Sequence, residues 1–379
     1  MSAFPIGMKI YDNNWYLKHN LEPENAAGLL AAMGINFVIA QSRLLPMQNN
    51  AISSVVPKHL RDRYAGLDDV AFRNALKDHN IQYYACMNIG FDADAANKHP
   101  EWLPVDQHGA TGTQTDWYVG LSPTKSVFMD NKATQLFQAV SILKPDGVHF
   151  GFARWPGFWE TWLPGATRNS IREYCYSEDT LNKFSQHAQL DINISNPVAA
   201  FKDISTQHRK LFTEWKCSQT HKMISMLKQI ARSAIPNLPI AINTIPFGPD
   251  DFGNAVMEVL GQNHATLGST VDIFEVMAYH QILKRPASWP AEISAEIRCR
   301  SRQVTWCTLQ TGPHYTSSRY CADQRNRDVK LSEIQTILNS LTPDTIDGVC
   351  FFTMTDFLDA GRGQKLQELV TLYSRSING

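Results

Sequence analysis

Residues 23–41 read PENAAGLLAAMG followed by INFVIAQ. The first part is an Ala/Leu segment with helical periodicity, opened by Glu22-Pro23 and stopped at Gly34, and the second is a short apolar run rich in β-branched residues. A helix that hands over to a strand through one glycine is half of a βαβ unit, the building block of a parallel sheet.

The same alternation recurs on both sides of this stretch. Eight β-rich runs lie at residues 8–13, 35–41, 81–89, 147–152, 239–244, 271–279, 303–310 and 348–354, with further helical segments near 68–79, 126–143, 291–300, 328–341 and 364–373. Eight alternating units in a chain of this length predict an α/β fold, a (β/α)8 TIM barrel. A doubly wound open sheet is the rival, but the first strand-turn-helix carries neither G-x-G-x-x-G nor G-x-x-x-x-G-K-[ST]. The expected organisation is one barrel domain over residues 1–379, with long insertions after strand three (91–125) and strand four (154–237, largely helical). Both insertions would emerge on the C-terminal face, where barrels of this kind build their sites.

Composition narrows the function. The 379 residues are 43% apolar and 19% charged, and the 19 Pro and 21 Gly are scattered, which excludes long disorder and low-complexity tails. Thirty-five basic against 36 acidic residues leave a formal charge of −1, so no global field draws the chain to nucleic acid or an anionic membrane. A neutral substrate fits that balance. No stretch approaches the roughly 18 apolar residues of a membrane span. The first nine residues lack a leader pattern, which reads as a soluble, cytoplasmic protein or one from which a leader has been cut. Seven cysteines (Cys86, Cys175, Cys217, Cys299, Cys307, Cys321, Cys350) form no C-x-x-C pair and read mostly as buried thiols in a reducing compartment. No cofactor and no metal is expected, and nothing in the sequence sets an oligomeric state.

Given a barrel, side chains at strand ends converge on one mouth. That filter selects Asp12, Asn13 and Asn14 after strand one, Gln41 and Arg43 after two, and Asn88, Asp92 and Asp94 after three. Arg154, Trp155, Trp159 and Glu160 follow four, Asn243 ends five, and Glu275, Tyr279 and His280 lie on or after six. Gln310 and His314 follow seven, and Asp356 follows eight. Amides, carboxylates and arginines that bond hydroxyls, beside the aromatic run Trp155-Pro-Gly-Phe158-Trp159-Glu160-Thr-Trp162, point to a carbohydrate substrate. The bland reading is that these aromatics fill the core of the insertion.

Glycosidic cleavage needs two carboxyl groups. Glu160, in the aromatic loop, and Glu275, interrupting the apolar run Ile273-Phe274-Glu275-Val276-Met277, are the leading pair, with Asp12 next and Asp92 and Asp356 in reserve. The competing account of Glu275 is a buried partner for His149 or Arg154. His149, His280 and His314 lack the spacing of a metal motif. Gly361-Arg362-Gly363 at a helix start is an unspecific phosphate signal, and no Ser or Cys sits in a nucleophile elbow.

At this point the chain resembles a bacterial family of glycosyl-hydrolase-like (β/α)8 barrel proteins, distantly related to amylase-type barrels. The resemblance spans about residues 5–360 and rests on ordered short motifs: Asn97-Lys-His-Pro-Glu-Trp102 with Val105-Asp106-Gln-His-Gly109, Leu121-Ser-Pro123, Asp146-Gly147-Val-His-Phe150 running into Arg154-Trp-Pro156, Trp215-Lys216-Cys217, Asn243-Thr-Ile-Pro246, and Met277-Ala-Tyr279-His280 before Arg285-Pro286 and Trp289. The resemblance implies a glycoside hydrolase with a catalytic Asp in an H-x-D-[FY]-x-R motif on strand four. Here that position is Gly151, whose space is expected to admit a water or a sugar substituent, and the family's Cys-rich segment is reduced to Tyr174-Cys175-Tyr176-Ser177-Glu178. The expected function is therefore carboxylate-catalysed hydrolysis by substitutes, inverting if the carboxyl groups stand about 6.5–9.5 Å apart. A catalytically inactive carbohydrate-binding barrel is the alternative. A sugar-phosphate isomerase or aldolase ranks third, since no strand-end lysine is evident.

Overall fold

A computed structural model describes residues 3–46, 57–321, 323 and 325–379. Eight parallel strands close in sequence order into a barrel: β1 (Ile6–Ile10), β2 (Phe37–Ala40), β3 (Gln82–Asn88), β4 (Gly147–Gly151), β5 (Ile240–Thr244), β6 (Ile273–Met277), β7 (Val304–Gln310) and β8 (Gly348–Phe352). Each falls on one of the eight expected runs. The largest offset is at β1, which ends before Asp12 because the Asp12 carboxylate accepts the Asn14 N–H (2.8 Å) and opens the helical turn Asn14–Leu17.

Side chains alternate along a strand, so residues two apart share the barrel interior. The foot of the barrel is aromatic: Phe37 stacks on Trp306 at 4.1 Å and Tyr84 meets Trp306 edge-on at 5.2 Å. Glycines on the neighbouring strands make room for these rings. A Cβ at Gly7 would lie 2.1 Å from the Phe37 ring, and one at Gly147 would lie 2.3 Å from Tyr84. Above this plug sits a polar level containing Lys9, Cys86, His149 and Glu275, all buried. The mouth lies above that.

The long connection between β4 and β5 divides in two. Its last helix, Arg209–Ala234, packs along the crossover helix Ser126–Leu143 and covers the barrel wall as a crossover should. The part additional to a minimal barrel is therefore residues 154–208, which builds a small core of its own from Trp155, Tyr176, Leu181 and Phe184 against Phe212 and Trp215. Glu173 fastens it: fully buried, it is bound by Arg168, by Arg209 (2.9 Å) and by the Tyr176 hydroxyl (2.7 Å), with Lys216 at 3.8 Å. Burial alone would raise the Glu173 pKa, but these three cations hold it below the ordinary range.

Cys86, Cys175, Cys217, Cys307 and Cys350 are buried free thiols and Cys299 is exposed, while the Cys321 side chain lies outside the described residues. Burial pushes Cys175, in the reduced Cys segment, up to about 12. Among the described residues no helix is long and apolar enough to cross a membrane.

Candidate active site

A cavity of about 360 Å³ opens at the C-terminal mouth. Its walls are largely aromatic. Tyr279 stacks on Phe352 (5.4 Å, 22°), and Trp117 stands edge-on to Phe152, Phe158 and His314 at 5.5–6.0 Å. The β3 and β7 loops are tied together at the rim, where Asp116 accepts the backbone N–H groups of Thr316 (3.2 Å) and Ser317 (2.9 Å).

Of the residues selected by position, Asp12, Arg154, Trp159, Glu160, Asn243, Tyr279 and His314 line this cavity together. Glu160 is only 2% exposed, its Oε2 has no partner, and its Oε1 lies 3.7 Å from His314 Nε2. The loop around it is held from the other side of the mouth: its backbone carbonyl accepts the Tyr315 hydroxyl (2.8 Å) and Arg325 (3.3 Å). Asp12 accepts the Thr355 hydroxyl at 2.8 and 3.0 Å. Asp12 and Glu160 line the same cavity, Asp12 from the end of β1 and Glu160 from the β4 loop where that loop meets the β7 loop.

Glu275 is not in that wall. It lies one level deeper, fully buried, with both oxygens bound by Lys9 (3.1 and 3.0 Å) and one by His149 Nε2 (3.0 Å). Burial alone would raise its pKa, but Lys9 and the hydrogen bond from His149 hold it down at about 2. With both oxygens bound and no share in the cavity wall, Glu275 stands apart from the substrate space, which corrects its expected catalytic role. Its geometry is that of the buried His149 partner. His149 in turn places Nδ1 3.4 Å from the Cys86 thiol, and burial lowers its pKa against the pull of Glu275.

Other expectations are corrected in the same way. Trp155 is no sugar platform: it is fully buried in the small core, and its indole N–H donates to the Lys216 carbonyl (2.9 Å). Arg43 binds Asp69 (3.1 Å) and the Ala65 carbonyl (2.8 Å), and Asp92 caps the helix Ala93–Lys98 while pairing with Lys132 (2.8 Å). Asn13 stands at the N-cap of the turn after β1 without a side-chain capping bond, Asn14 gives its backbone N–H to Asp12, and neither lines the cavity. Gln41 and His280 are absent from the cavity wall, and Gln310 donates to the Gly312 carbonyl (2.7 Å). Asp356 caps the helix Met354–Leu358 and accepts the Thr311 hydroxyl (2.6 Å), with burial raising its pKa to about 6. Arg362, in the glycine-flanked helix start, is spent on the Thr311 and Val329 carbonyls (2.6 and 2.7 Å).

Gly151 offers no vacant space. A Cβ there would lie 2.3 Å from Asn88 Oδ1, so the Asn88 carboxamide fills the position where a water or substituent was expected. Gly151→Ala is accordingly expected to destabilise the fold by about 1–3 kcal/mol through overpacking. Asn88→Ala in the same chain should relieve most of that loss, a coupling that denaturant midpoints of the four-member cycle will measure.

Several wall residues escaped the positional filter. Lys9 lines the cavity from inside β1, a position that a search of strand ends does not select, and its ammonium is committed to Glu275. Trp117 comes from the long β3 loop, and Phe152 and Phe352 sit at strand ends. Position alone marks the last two, since strand ends converge on the mouth.

No family model matches the sequence, and no curated protein sequence does either. Solved structures do match in shape. The glycoside hydrolase domain of PgaB (BpsB) from Bordetella bronchiseptica superposes with a TM-score of 0.67 at 13% identity, over 98% of this chain and 99% of that one. A β-galactosidase from the haloarchaeon Halorubrum lacusprofundi gives 0.63 at 11% identity over 98% of this chain, and an α-L-fucosidase from Paenibacillus thiaminolyticus gives 0.59 at 14% over 99%. The chain spans 57% and 49% of those two longer proteins. In fold, this chain is similar to the (β/α)8 barrels of glycoside hydrolases.

Proposed function

We propose that this protein hydrolyses a glycosidic bond, with Glu160 as general acid and Asp12 as general base. The observation that carries the reading is Glu160 itself, a buried carboxyl group with one unpartnered oxygen in an aromatic wall, sharing one cavity with Asp12. Aromatic faces such as Tyr279 and Phe352 suit the C–H faces of a sugar, and Asn243 and Asp12 suit its hydroxyls. The likeness in fold to glycoside hydrolase barrels supports the same reading.

In the proposed step Glu160 gives its proton to the glycosidic oxygen as the bond to the anomeric carbon breaks, and the leaving group departs as an alcohol. A water forms the new bond from the opposite face and loses its proton to Asp12. Solvent then returns a proton to Glu160 and takes one from Asp12. Glu275 has no place in this cycle; it is bound by Lys9, which itself belongs to the cavity lining.

A screen of aryl glycosides, followed by proton NMR of the first-formed sugar, tests the proposal. The expected product has the anomeric configuration opposite to that of the substrate. A retained configuration would remove Asp12 from the role of base. A glycan that changes tryptophan fluorescence without being cleaved would instead favour the inactive binding barrel.

A further inference from the structure

We infer that the sugar seated in this cavity carries a carboxylate, and that Arg154 receives it. The inference deepens the carbohydrate reading above and rests on it. Arg154 lines the cavity yet is only 2% exposed. Its Nη1 is committed to the carbonyls of Gly157 (2.6 Å) and Trp155 (3.4 Å), while its Nε has no partner. Among the described residues no carboxylate stands within ion-pair distance of it. A buried cation without a counter-ion is costly, and buried charges are normally paired. The other cation of the wall, Lys9, has its anion in Glu275. Arg154 has none among the described residues.

The remaining unpartnered polar atoms of the wall point the same way. They are Trp117 Nε1 and His314 Nε2 beside the single oxygen Glu160 Oε2. Guanidinium and indole nitrogens only donate, so the wall asks for a ligand richer in acceptors than a ring hydroxyl. A carboxylate answers with two oxygens and a charge, and its plane matches the guanidinium fork. The guanidinium carbon itself lies 5.3 Å from the Tyr118 ring and 5.5 Å from the Phe152 ring, beside this stacked pair. A dianion such as a phosphate ester would meet Glu160 and Asp12 in the same small space, so a single negative charge fits best.

The test is a titration of the full chain at pH 7, read by tryptophan fluorescence because Trp117 and Trp159 both line the cavity. The probes are glucuronate and galacturonate, their neutral counterparts glucose and galactose, and glucose 6-sulfate. The uronates are expected to bind about tenfold or more tightly than the neutral sugars, as a charge-assisted bond in a buried site allows. Arg154→Lys keeps the charge without the fork and should lose most of that preference; Arg154→Gln should lose all of it. Equal or tighter binding of the neutral sugars by the wild type overturns the inference, as does equal binding of the sulfate, or no binding of any probe. The wild-type comparison stands even if both variants fail to fold. Uronate preference without turnover of any glycoside would leave this inference in place and sink the hydrolase, whereas cleavage of neutral glycosides with no uronate preference would do the reverse.

Discussion

Glu160→Gln is expected to lower kcat about 10²–10⁴-fold on a glycoside with a poor leaving group, the range that a positioned general acid supplies. The substitution keeps shape and hydrogen-bonding reach but removes the proton that the departing oxygen needs. Its diagnostic is therefore a difference between substrates. A dinitrophenyl glycoside, whose leaving group departs without protonation, should lose far less activity than an alkyl glycoside. Equal losses on both, with the fold intact, would strip Glu160 of the acid role. His314, 3.7 Å from the carboxyl group and without a hydrogen-bond partner at Nε2, should produce a milder loss when replaced by Gln, because it stands beside Glu160 without supplying the proton.

Glu275→Ala carries the largest expected cost in stability, about 3–5 kcal/mol, because it strands the Lys9 ammonium in the dry middle of the barrel. Adding Lys9→Met should recover much of the loss, since an uncharged pair leaves no buried ion behind. Thermal and denaturant unfolding of the single and double variants will measure this. The same pair shapes the acid limb. Glu275 has a folded pKa of about 2 against an ordinary 4.5, so its contribution is fully present above about pH 4.5 and is lost as pH falls towards 2. Asp356 works in the opposite direction: its folded pKa of about 6 against 3.8 means the fold gains as pH falls through that window. Stability should therefore hold or rise on going from pH 7 to about 4.5 and then drop steeply. In Glu275→Gln the steep part should flatten.

The barrel was legible because its signal is local and repeated. Each strand is a short apolar run bounded by turn residues, and even the two long insertions interrupt the count without disturbing it. The site was legible only in part. Arg154 and Tyr279 follow their strands closely, so knowing the strand fixes the direction in which they emerge, whereas Glu160 lies further along the β4 loop. Trp155 and Trp159 are four residues apart and look alike on paper, yet one indole is captured by the Lys216 carbonyl in the small core and the other reaches the cavity. That choice depends on the helix Arg209–Ala234, more than fifty residues downstream. Lys9 was hidden for another reason: a lysine in an apolar strand reads as an edge or an end until its partner is known, and that partner lies 266 residues away. Trp117 entered the wall through a loop whose path is set by a contact with residues 316–317, again beyond any local pattern.

The aromatic plug of Phe37, Tyr84 and Trp306 leaves the barrel with one door. A molecule that reaches the floor above Lys9 must depart by the route it came, so a chain cannot be threaded through and processed on the way out. Release of one sugar and arrival of the next become competing events at a single threshold. For a hydrolase built on this plan, the liberated sugar is its own competitive inhibitor.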